Sequence, residues 1–573
     1  MHTKIKVILF FLLLLLLNFK TSAEVGLAPR SPHLPELHGL QTRRIRPAGY
    51  RRVVDEIRSW DMSAAEQILS KLRKRVPGLP EWQALEGTLA YLRGDYEKSI
   101  ARLNDALEKS PGDSEWLELR LHVKQSLLAV QGFSIHKTKH FEIRYDAKRD
   151  SVLLPYLTQM LEVAYQVFSG ELGIKIGGRI RVEVFSDPER FHKSSTIRRS
   201  DIEKGVVGLC KFNKILLLSP AALQRGYRWL DTAAHEFIHY LVTKGTDNKT
   251  PIWLQEGIAK YFEKNWRRQN LPYLNPIDEV LLAKARKESL FIPFKKMEPS
   301  LIYLKTAEEV QLAYAEVASA VDFIRRRRGK ASLRKMLLAI RDTTSEKKRN
   351  SPTKKEIIRN IGPSLIELDS INSPQSAEAG LQALFGLGIE EFEEIWKHDL
   401  ADQTFRTNFG AQVRKYRLRA TGPVDENAAD LALLKSAVAR RRTRLADRLW
   451  LRGRTKAAWV EYQRALKDEL DSPQLLNRIA RVELRLGRFA MALRAAKKAV
   501  AMDPDFGPSY VHMGMALEMT GDMKAASVAW LEVIHINPFN PIPHERLAPI
   551  YQSMGFLKAA QLESKLARQL RGN

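Results

Sequence analysis

Four glycines in the C-terminal part of the chain are spaced 34 residues apart: Gly453, Gly487, Gly521 and Gly555. Four alanines keep the same step, each five residues after its glycine: Ala458, Ala492, Ala526 and Ala560. A unit this short cannot bury an apolar face alone, so stacked copies must share one continuous core. The pattern therefore predicts a row of helical hairpins, with glycine at each turn and alanine between the paired helices.

This spacing resembles that of the tetratricopeptide repeat, and the resemblance covers residues 440–570. The resemblance implies stacked hairpins with a concave groove that takes a protein partner or a peptide. A purely structural extension is the alternative, because fold alone does not decide between the two roles.

Residues 51–130 form a second region with a helical pattern, and they contain one unit similar to this repeat. The residues at the spacings of the repeat are Gly87, Gly94, Tyr96, Ala106 and Pro111. Small residues let the two helices of a hairpin approach closely, and proline ends the second helix. We therefore expect an N-terminal helical, tetratricopeptide-like region.

The first 23 residues have the pattern of a secretory signal peptide. Lys4 and Lys6 precede an apolar run over residues 7–17, and small residues at 21–23 suit cleavage. The run is shorter than the roughly 20 residues that a membrane span needs, although an uncleaved anchor is the alternative. We expect an exported protein, periplasmic or in the cell envelope if bacterial and otherwise secreted, with no integral membrane span after signal removal.

Residues 24–50 are rich in proline, arginine and glycine and show no apolar period, so they are interpreted as a linker. The chain carries a formal net charge of +27. Such a charge attracts anionic partners, but no zinc finger or RNA-binding motif accompanies it, so no nucleic acid is expected. The single cysteine, Cys210, excludes an intrachain disulfide and a cysteine-rich metal site.

Residues 134–400 differ from the helical regions on either side. Polar and apolar residues alternate over 140–145 and 179–185, and residues 215–218 are uniformly apolar. Alternation of this kind predicts half-buried strands, and the short apolar run predicts a more buried one. Helical patterns resume near Arg228. We therefore expect an α+β domain with its strands early and its helices late.

The sharpest chemical signal is His235-Glu236-Phe237-Ile238-His239, in an apolar segment compatible with a helix. Positions i and i+4 share a helix face, so both imidazoles can bind one metal ion. The glutamate beside the first histidine can act as general base. Two histidines on a helix without a metal are the plain alternative.

A second segment supplies a third ligand. Glu256 lies sixteen residues after His239, on a predicted helix that Thr250 can cap and in which Gly257 allows close packing on the first helix. A catalytic zinc site needs three protein ligands and an open position, which His235, His239 and Glu256 provide. Glu263 follows seven residues later on the same face and can hydrogen-bond a ligating histidine. Solvated surface carboxylates are the alternative for both glutamates.

Together these segments resemble the gluzincin metallopeptidases, in particular bacterial peptidase-MA-like proteins, over residues 134–340. The second segment contributes Trp253, Leu254, Gly257, Ala259 and Tyr261 to the resemblance. The resemblance implies a thermolysin-like α+β domain flanked by the all-α repeats. It also implies that residues 215–218 form the edge strand above the cleft.

The same resemblance implies a tyrosine that stabilises the oxyanion, and the best match is Tyr314, with Tyr240 and Tyr261 as weaker alternatives. The Gly-Ala-Met-Glu-Asn-type segment of the aminopeptidase branch is absent, which favours an endopeptidase. The sequence thus predicts an exported Zn²⁺-dependent endopeptidase with a protein or peptide substrate. The alternative is an exported tetratricopeptide scaffold whose peptidase domain is silent. In a further alternative, the repeats recruit substrates to a working peptidase.

Overall fold

In the computed structural model, the described residues are 46–267, 271–343, 374–406, 411, 413, 416–419 and 430–572. The expected signal peptide, residues 1–23, and residues 24–45 of the expected linker lie outside them. Among the described residues, no helix is long and apolar enough to cross a membrane.

The N-terminal helical region is a series of short helices: α1 (Tyr50–Arg58), α2 (Met62–Arg75), α3 (Pro80–Arg93), α4 (Tyr96–Lys109) and α5 (Ser114–Val130). Helices α3 and α4 form the predicted hairpin. Gly94 takes φ 85° at its turn, in the left-handed region that glycine adopts without strain. A Cβ at Gly87 would lie 2.9 Å from Leu103 Cγ, so glycine there permits the close approach of the two helices.

The central region begins with a mixed sheet made of β1 (Ser134–Lys137), β2 (Phe141–Tyr145), β3 (Ile180–Phe185), β4 (Gly208–Lys211) and β5 (Lys214–Leu218). Among the described residues the strand order is β1-β2-β3-β5-β4. The inner pairs β2–β3 and β3–β5 are parallel, and the outer pairs β1–β2 and β4–β5 are antiparallel.

The prediction that residues 215–218 form the edge strand is wrong. Strand β5 lies between β3 and β4, and all of its residues are buried. The edge belongs to β4, because Phe212 and Asn213 take φ of 55° and 56° and turn the chain back as a tight hairpin. The sequence analysis predicted no strand at Gly208–Lys211, so it missed the strand that pairs with β5 on its outer side.

The remaining helices of the central region are α6 (Ala147–Asp150), α7 (Leu154–Leu172), α8 (Pro188–Ser195), α9 (Arg199–Glu203), α10 (Trp229–Gly245), α11 (Ile252–Phe262), α12 (Pro276–Glu288), α13 (Ala307–Arg328), α14 (Ser332–Asp342), α15 (Pro374–Phe385) and α16 (Ile389–Ala401). Helix α10 packs against the sheet through Phe237, whose ring contacts Phe141, Tyr165 and Phe168. The described residues are therefore mostly helical, with one small sheet, and a thermolysin-like form of this region stays a prediction.

The C-terminal array consists of paired helices: α17 (Ala437–Leu451) with α18 (Thr455–Asp468), α19 (Pro473–Arg485) with α20 (Phe489–Met502), α21 (Gly507–Met519) with α22 (Met523–Ile536), and α23 (Pro541–Ser553) with α24 (Leu557–Arg571). The repeated glycines take φ between 70° and 83° at the turns. The repeated alanines are buried between the paired helices. The predicted hairpins are thus confirmed, for the steric reasons that the sequence suggested.

Buried charges join this array to the start of α10. The guanidinium of Arg228 forms ion pairs with Asp505, at 3.0 Å, and with Glu532. Glu532 also pairs with Arg267 at 3.0 Å, and Arg267 in turn contacts Asp231 of α10. The cationic side chains are only 15 % exposed, so each depends on its carboxylate for compensation.

Hydrogen bonds to backbone carbonyls of the array also hold this junction together. The indole N–H of Trp229 donates to the carbonyl of Ile534 at 3.1 Å, and the Tyr227 N–H donates to the carbonyl of Ile536 at 2.9 Å. A Cβ at Gly226 would lie 2.1 Å from the carbonyl oxygen of Ile536, so glycine is required for this contact. The last turn of α22 therefore fixes the position at which α10 begins.

We expect Glu532→Ala to lower the free energy of unfolding by about 3 kcal/mol, because it removes the carboxylate that the buried side chains of Arg228 and Arg267 share. Thermal and denaturant unfolding measure the loss. Glu66→Ala is the control, since Glu66 pairs with Arg93 in an exposed setting and its loss is expected to cost less than about 1 kcal/mol. Equal losses in both variants would contradict the importance of the buried junction.

A second buried charge group holds β3 and β5 to the N-terminal helices. The ammonium of Lys214 lies 2.7 Å from Glu183 and 3.0 Å from the hydroxyls of Tyr96 and Ser194. Burial alone would raise the pKa of Glu183, but the neighbouring cations Lys214 and Arg181 hold it at about 2. The carboxylate therefore stays charged in the folded protein at pH values where it is protonated in the unfolded chain.

This pKa predicts an acid-dependent loss of stability. The stabilising contribution of Glu183 is fully present above its unfolded pKa of about 4.3, and it is lost as pH falls towards about 2. Unfolding by urea at a series of pH values measures the slope. Glu183→Gln should be less stable at neutral pH and show a shallower decline between these values. An unchanged slope in that variant would mean that other carboxylates control acid unfolding.

Candidate metal centre

Helix α10 places the two histidines of the motif side by side. His235 Nε2 and His239 Nε2 lie 3.0 Å apart, as expected for positions i and i+4 on one helix face. Both side chains are partly buried, with 12 % and 13 % of their surface exposed. The two imidazoles therefore converge on a point that remains open to the cleft.

Helix α11 brings Glu256 to the same point. Its carboxylate oxygen Oε2 lies 3.2 Å from His235 Nε2 and 3.3 Å from His239 Nε2. The expected role of Gly257 in packing α11 on α10 is wrong. A Cβ at Gly257 would meet the backbone oxygen of Val317 at 2.6 Å, so this glycine lets α11 approach α13.

The expected capping of α11 by Thr250 is also wrong. Pro251 occupies the N-cap position, and Glu298 accepts a hydrogen bond of 2.9 Å from the first helical N–H, that of Ile252. The Thr250 hydroxyl instead donates to the hydroxyl of Thr246 at 2.8 Å. A carboxylate from a distant loop thus satisfies the helix end, which local sequence could not indicate.

The distances among the three ligand atoms suit a tetrahedral zinc ion. Zinc–ligand bonds of about 2.0–2.1 Å in a tetrahedron separate neighbouring ligand atoms by about 3.3 Å. The observed separations of 3.0, 3.2 and 3.3 Å are close to this value. Two imidazole nitrogens and a carboxylate oxygen are also a combination of donors that zinc binds in catalytic sites. His235, His239 and Glu256 therefore fit the ion.

A second carboxylate orients the first histidine. Glu263 Oε2 lies 3.1 Å from His235 Nδ1, on the side of the ring that faces away from Glu256. Burial would raise the pKa of Glu263, but Lys260 and His235 hold it at about 2, and the Lys260 ammonium donates to it at 2.8 Å. A charged Glu263 accepts the Nδ1–H of His235 in the tautomer that would leave Nε2 available to a metal ion.

Glu236 lies beside these ligands under the edge strand. It is 7 % exposed, and its carboxylate accepts a hydrogen bond from the Cys210 backbone N–H. A Cβ at Gly208 would come within 2.8 Å of Glu236, so β4 can lie over this carboxyl only with glycine there. Burial raises the pKa of Glu236, against the lowering effect of His239 and His235. A raised pKa suits a group that must take up and release a proton.

Tyr314 is the tyrosine that reaches the site. It lies within α13, and its ring centroid is 6.2 Å from that of His235. Burial and the nearby carboxylates of Glu256, Glu236 and Glu263 raise its pKa well above 10, which keeps the hydroxyl protonated as a donor. The two alternatives point elsewhere: Tyr240 donates to Asn213 at 3.0 Å, and Tyr261 packs on Tyr273.

The ligands lie in a cleft of about 760 Å³. Strand β4 and Tyr314 line it, and so do residues from both helical regions, namely Trp60 from the N-terminal side and Met502, Pro504, Asp505 and Tyr510 from the C-terminal array. No sequence signal indicated this participation, because nothing in a helical repeat shows which neighbouring surface it meets. Any molecule that fills the cleft touches all three regions.

Comparison with known proteins places the repeats in a family. Residues 443–505 and 477–541 match the model of the tetratricopeptide repeat, and this match lies outside the metal centre. No curated protein matches the chain.

Among the solved structures that resemble this chain, the three described next each cover about a quarter of it or less. A thermophilic tetratricopeptide protein of Thermus thermophilus, TTC0263, is 25% identical over 24% of this chain and 75% of that chain, with a TM-score of 0.22. The first tetratricopeptide domain of Spaghetti (RPAP3), bound to an HSP90 peptide, is 21% identical over 21% of this chain and 97% of that chain, with a TM-score of 0.21. MamA is 22% identical over 22% of this chain and 74% of that chain, with a TM-score of 0.21.

The geometry at His235 yields a prediction for metal affinity. We expect Glu263→Gln to weaken zinc binding about tenfold to a hundredfold, because the amide no longer orients His235 as a charged acceptor. Competition with a chromophoric chelator measures the affinity. The exposed Glu288 supplies the control, and Glu288→Gln should bind zinc like the parent chain. Equal zinc affinities for all three proteins would show that Glu263 does not contribute to zinc binding.

Proposed function

We propose that this protein is a zinc-dependent metallopeptidase of the gluzincin type, acting as an endopeptidase on protein or peptide substrates. The observation that carries the proposal is the convergence of His235, His239 and Glu256, with ligand atoms 3.0–3.3 Å apart beside the buried carboxyl of Glu236. Two glycines support it: Gly208 lets β4 lie over the Glu236 carboxyl, and Gly257 lets α11 approach α13, the helix that carries Tyr314.

The roles of the residues follow from their positions. A bound zinc ion would act as a Lewis acid towards water and the scissile carbonyl. The Glu236 carboxylate takes a proton from the attacking water and returns it to the leaving amine. The Tyr314 hydroxyl donates to the developing oxyanion, and Glu263 holds His235 in the ligating tautomer. Strand β4 presents an edge along the cleft to which an extended substrate backbone can pair.

The proposed location is outside the cytoplasm, in the periplasm or cell envelope of a bacterium. It rests on the apolar run at residues 7–17, with the lysines before it and the small residues after it. An exported endopeptidase meets folded or extended protein substrates, for which a cleft of this size is suitable.

The test compares the parent protein with Glu236→Gln for zinc content and for cleavage of casein and a peptide library. We expect about one zinc per chain in both proteins, and cleavage by the parent that falls at least about a hundredfold in the variant. The substitution keeps the ligands and the side-chain shape while removing the base. Glu288→Gln, on the exposed end of α12, should cleave like the parent.

A parent protein without zinc under replete conditions would contradict the metal assignment. Zinc binding without cleavage of any library peptide would favour the second candidate, a tetratricopeptide scaffold whose peptidase region is silent. The family match over residues 443–541 favours this second candidate, since tetratricopeptide arrays present a groove to protein partners. In both functions we propose that the repeats bind a protein or peptide.

A further inference from the structure

The first helix of the C-terminal array carries an unusual concentration of positive charge. Residues 437–456, which comprise α17 and the turn into α18, contain eight arginines or lysines and a single acidic residue, Asp447. That carboxylate faces inward, where it contacts Arg478 and accepts a hydrogen bond from the Tyr462 hydroxyl. It therefore does not neutralise the outer surface.

Two of the eight cations have partners within the array. Arg442 pairs with Asp468 at 3.2 Å, and Arg440 donates to backbone carbonyls near Leu434. The other six are exposed: Arg441, Arg444, Arg448, Arg452, Arg454 and Lys456. Within the described part of the chain, none of these six forms an ion pair with a carboxylate. Among the described residues, their charge therefore has no carboxylate to compensate it.

Apolar side chains lie among these cations on the same side of the helix. Leu451 is 80 % exposed, Leu445 48 % and Val438 39 %. Positions 438, 441, 445, 448 and 452 recur at steps of three and four, and Arg444 and Leu451 lie three residues after 441 and 448, so arginines and apolar residues share one side of the helix. We call Val438, Leu445, Leu451 and the six exposed cations the basic face.

We propose that the basic face binds the surface of an anionic lipid bilayer. A helix face that mixes cations with exposed apolar residues is the pattern of a segment that lies in the membrane interface. The arginines reach phosphate groups while their stems, with Leu445 and Leu451, enter the acyl boundary. A purely anionic polymer would neutralise the charge but would leave Leu451, which is 80 % exposed, without an apolar contact.

Binding to the membrane by this face does not depend on peptide hydrolysis, and the two are tested separately. Membrane binding would hold the repeat array close to a lipid surface. The cleft would lie there too, because the array forms part of its wall. The attraction falls off within a Debye length, so binding is expected to weaken as salt is added.

The experiment measures co-sedimentation of the full chain with phosphatidylcholine vesicles, with and without phosphatidylglycerol. The test variant carries Arg441→Gln, Arg444→Gln, Arg448→Gln and Arg452→Gln. Each cation near an anionic surface contributes about a fivefold factor in partitioning, so four should lower binding at least about a hundredfold. The apolar N-terminal segment is common to all variants, and its contribution cancels in the comparison.

The matched control removes the same charge from the N-terminal helices through Lys71→Gln, Lys74→Gln, Arg75→Gln and Lys124→Gln, at exposed positions. We expect it to bind anionic vesicles like the parent. Leu451→Ser should weaken binding while keeping its salt dependence. Thermal unfolding confirms that each variant is folded.

Equal loss in the test and control variants would overturn the proposal, because net charge rather than the basic face would then control binding. Equal binding to vesicles with and without phosphatidylglycerol would overturn it as well. Failure to bind vesicles together with binding of polyglutamate would overturn it in favour of an acidic polypeptide as the partner.

Discussion

The junction between α10 and the C-terminal array determines how the rest of the molecule is arranged. Arg228, directly before α10, is buried and depends on Asp505 and Glu532 of the array for compensation. An unpaired buried guanidinium costs several kcal/mol, so the carboxylates of the repeats stabilise α10 in this position. Because α10 carries both histidines, the array also fixes the position of two of the three candidate metal ligands.

This arrangement changes the role that tetratricopeptide repeats have in the protein. A recruiting module on a flexible linker would act through its groove alone. Here the array also supplies Pro504 and Tyr510 to the wall of the cleft, and the N-terminal helices supply Trp60. Any molecule that fills the cleft therefore contacts residues of the repeats directly.

The positive charge of the chain has two physically different uses. Buried cations such as Arg228 and Lys214 hold regions together, and each lies within hydrogen-bond distance of a carboxylate. The exposed cations on α17 have no such partner in the described residues, and they are free to act on an external anion. A net charge of +27 therefore includes a structural part and a surface part that composition alone does not distinguish.

Short spacings along the chain were sufficient to predict the features that depend on local geometry. The 34-residue period specified the hairpins of the array, since glycine at each turn and alanine at each helix contact are local requirements. The steps from His235 to His239 and from Glu256 to Glu263 indicated a shared face, and the structure brings all four side chains together. Packing between distant elements, in contrast, determined that β5 pairs with β3 inside the sheet, that Gly257 contacts α13, and that Glu298 caps α11. It also determined that the repeats line the cleft. These contacts join residues far apart in the chain, and only the assembly of whole elements brings them together, so no local period or spacing records them.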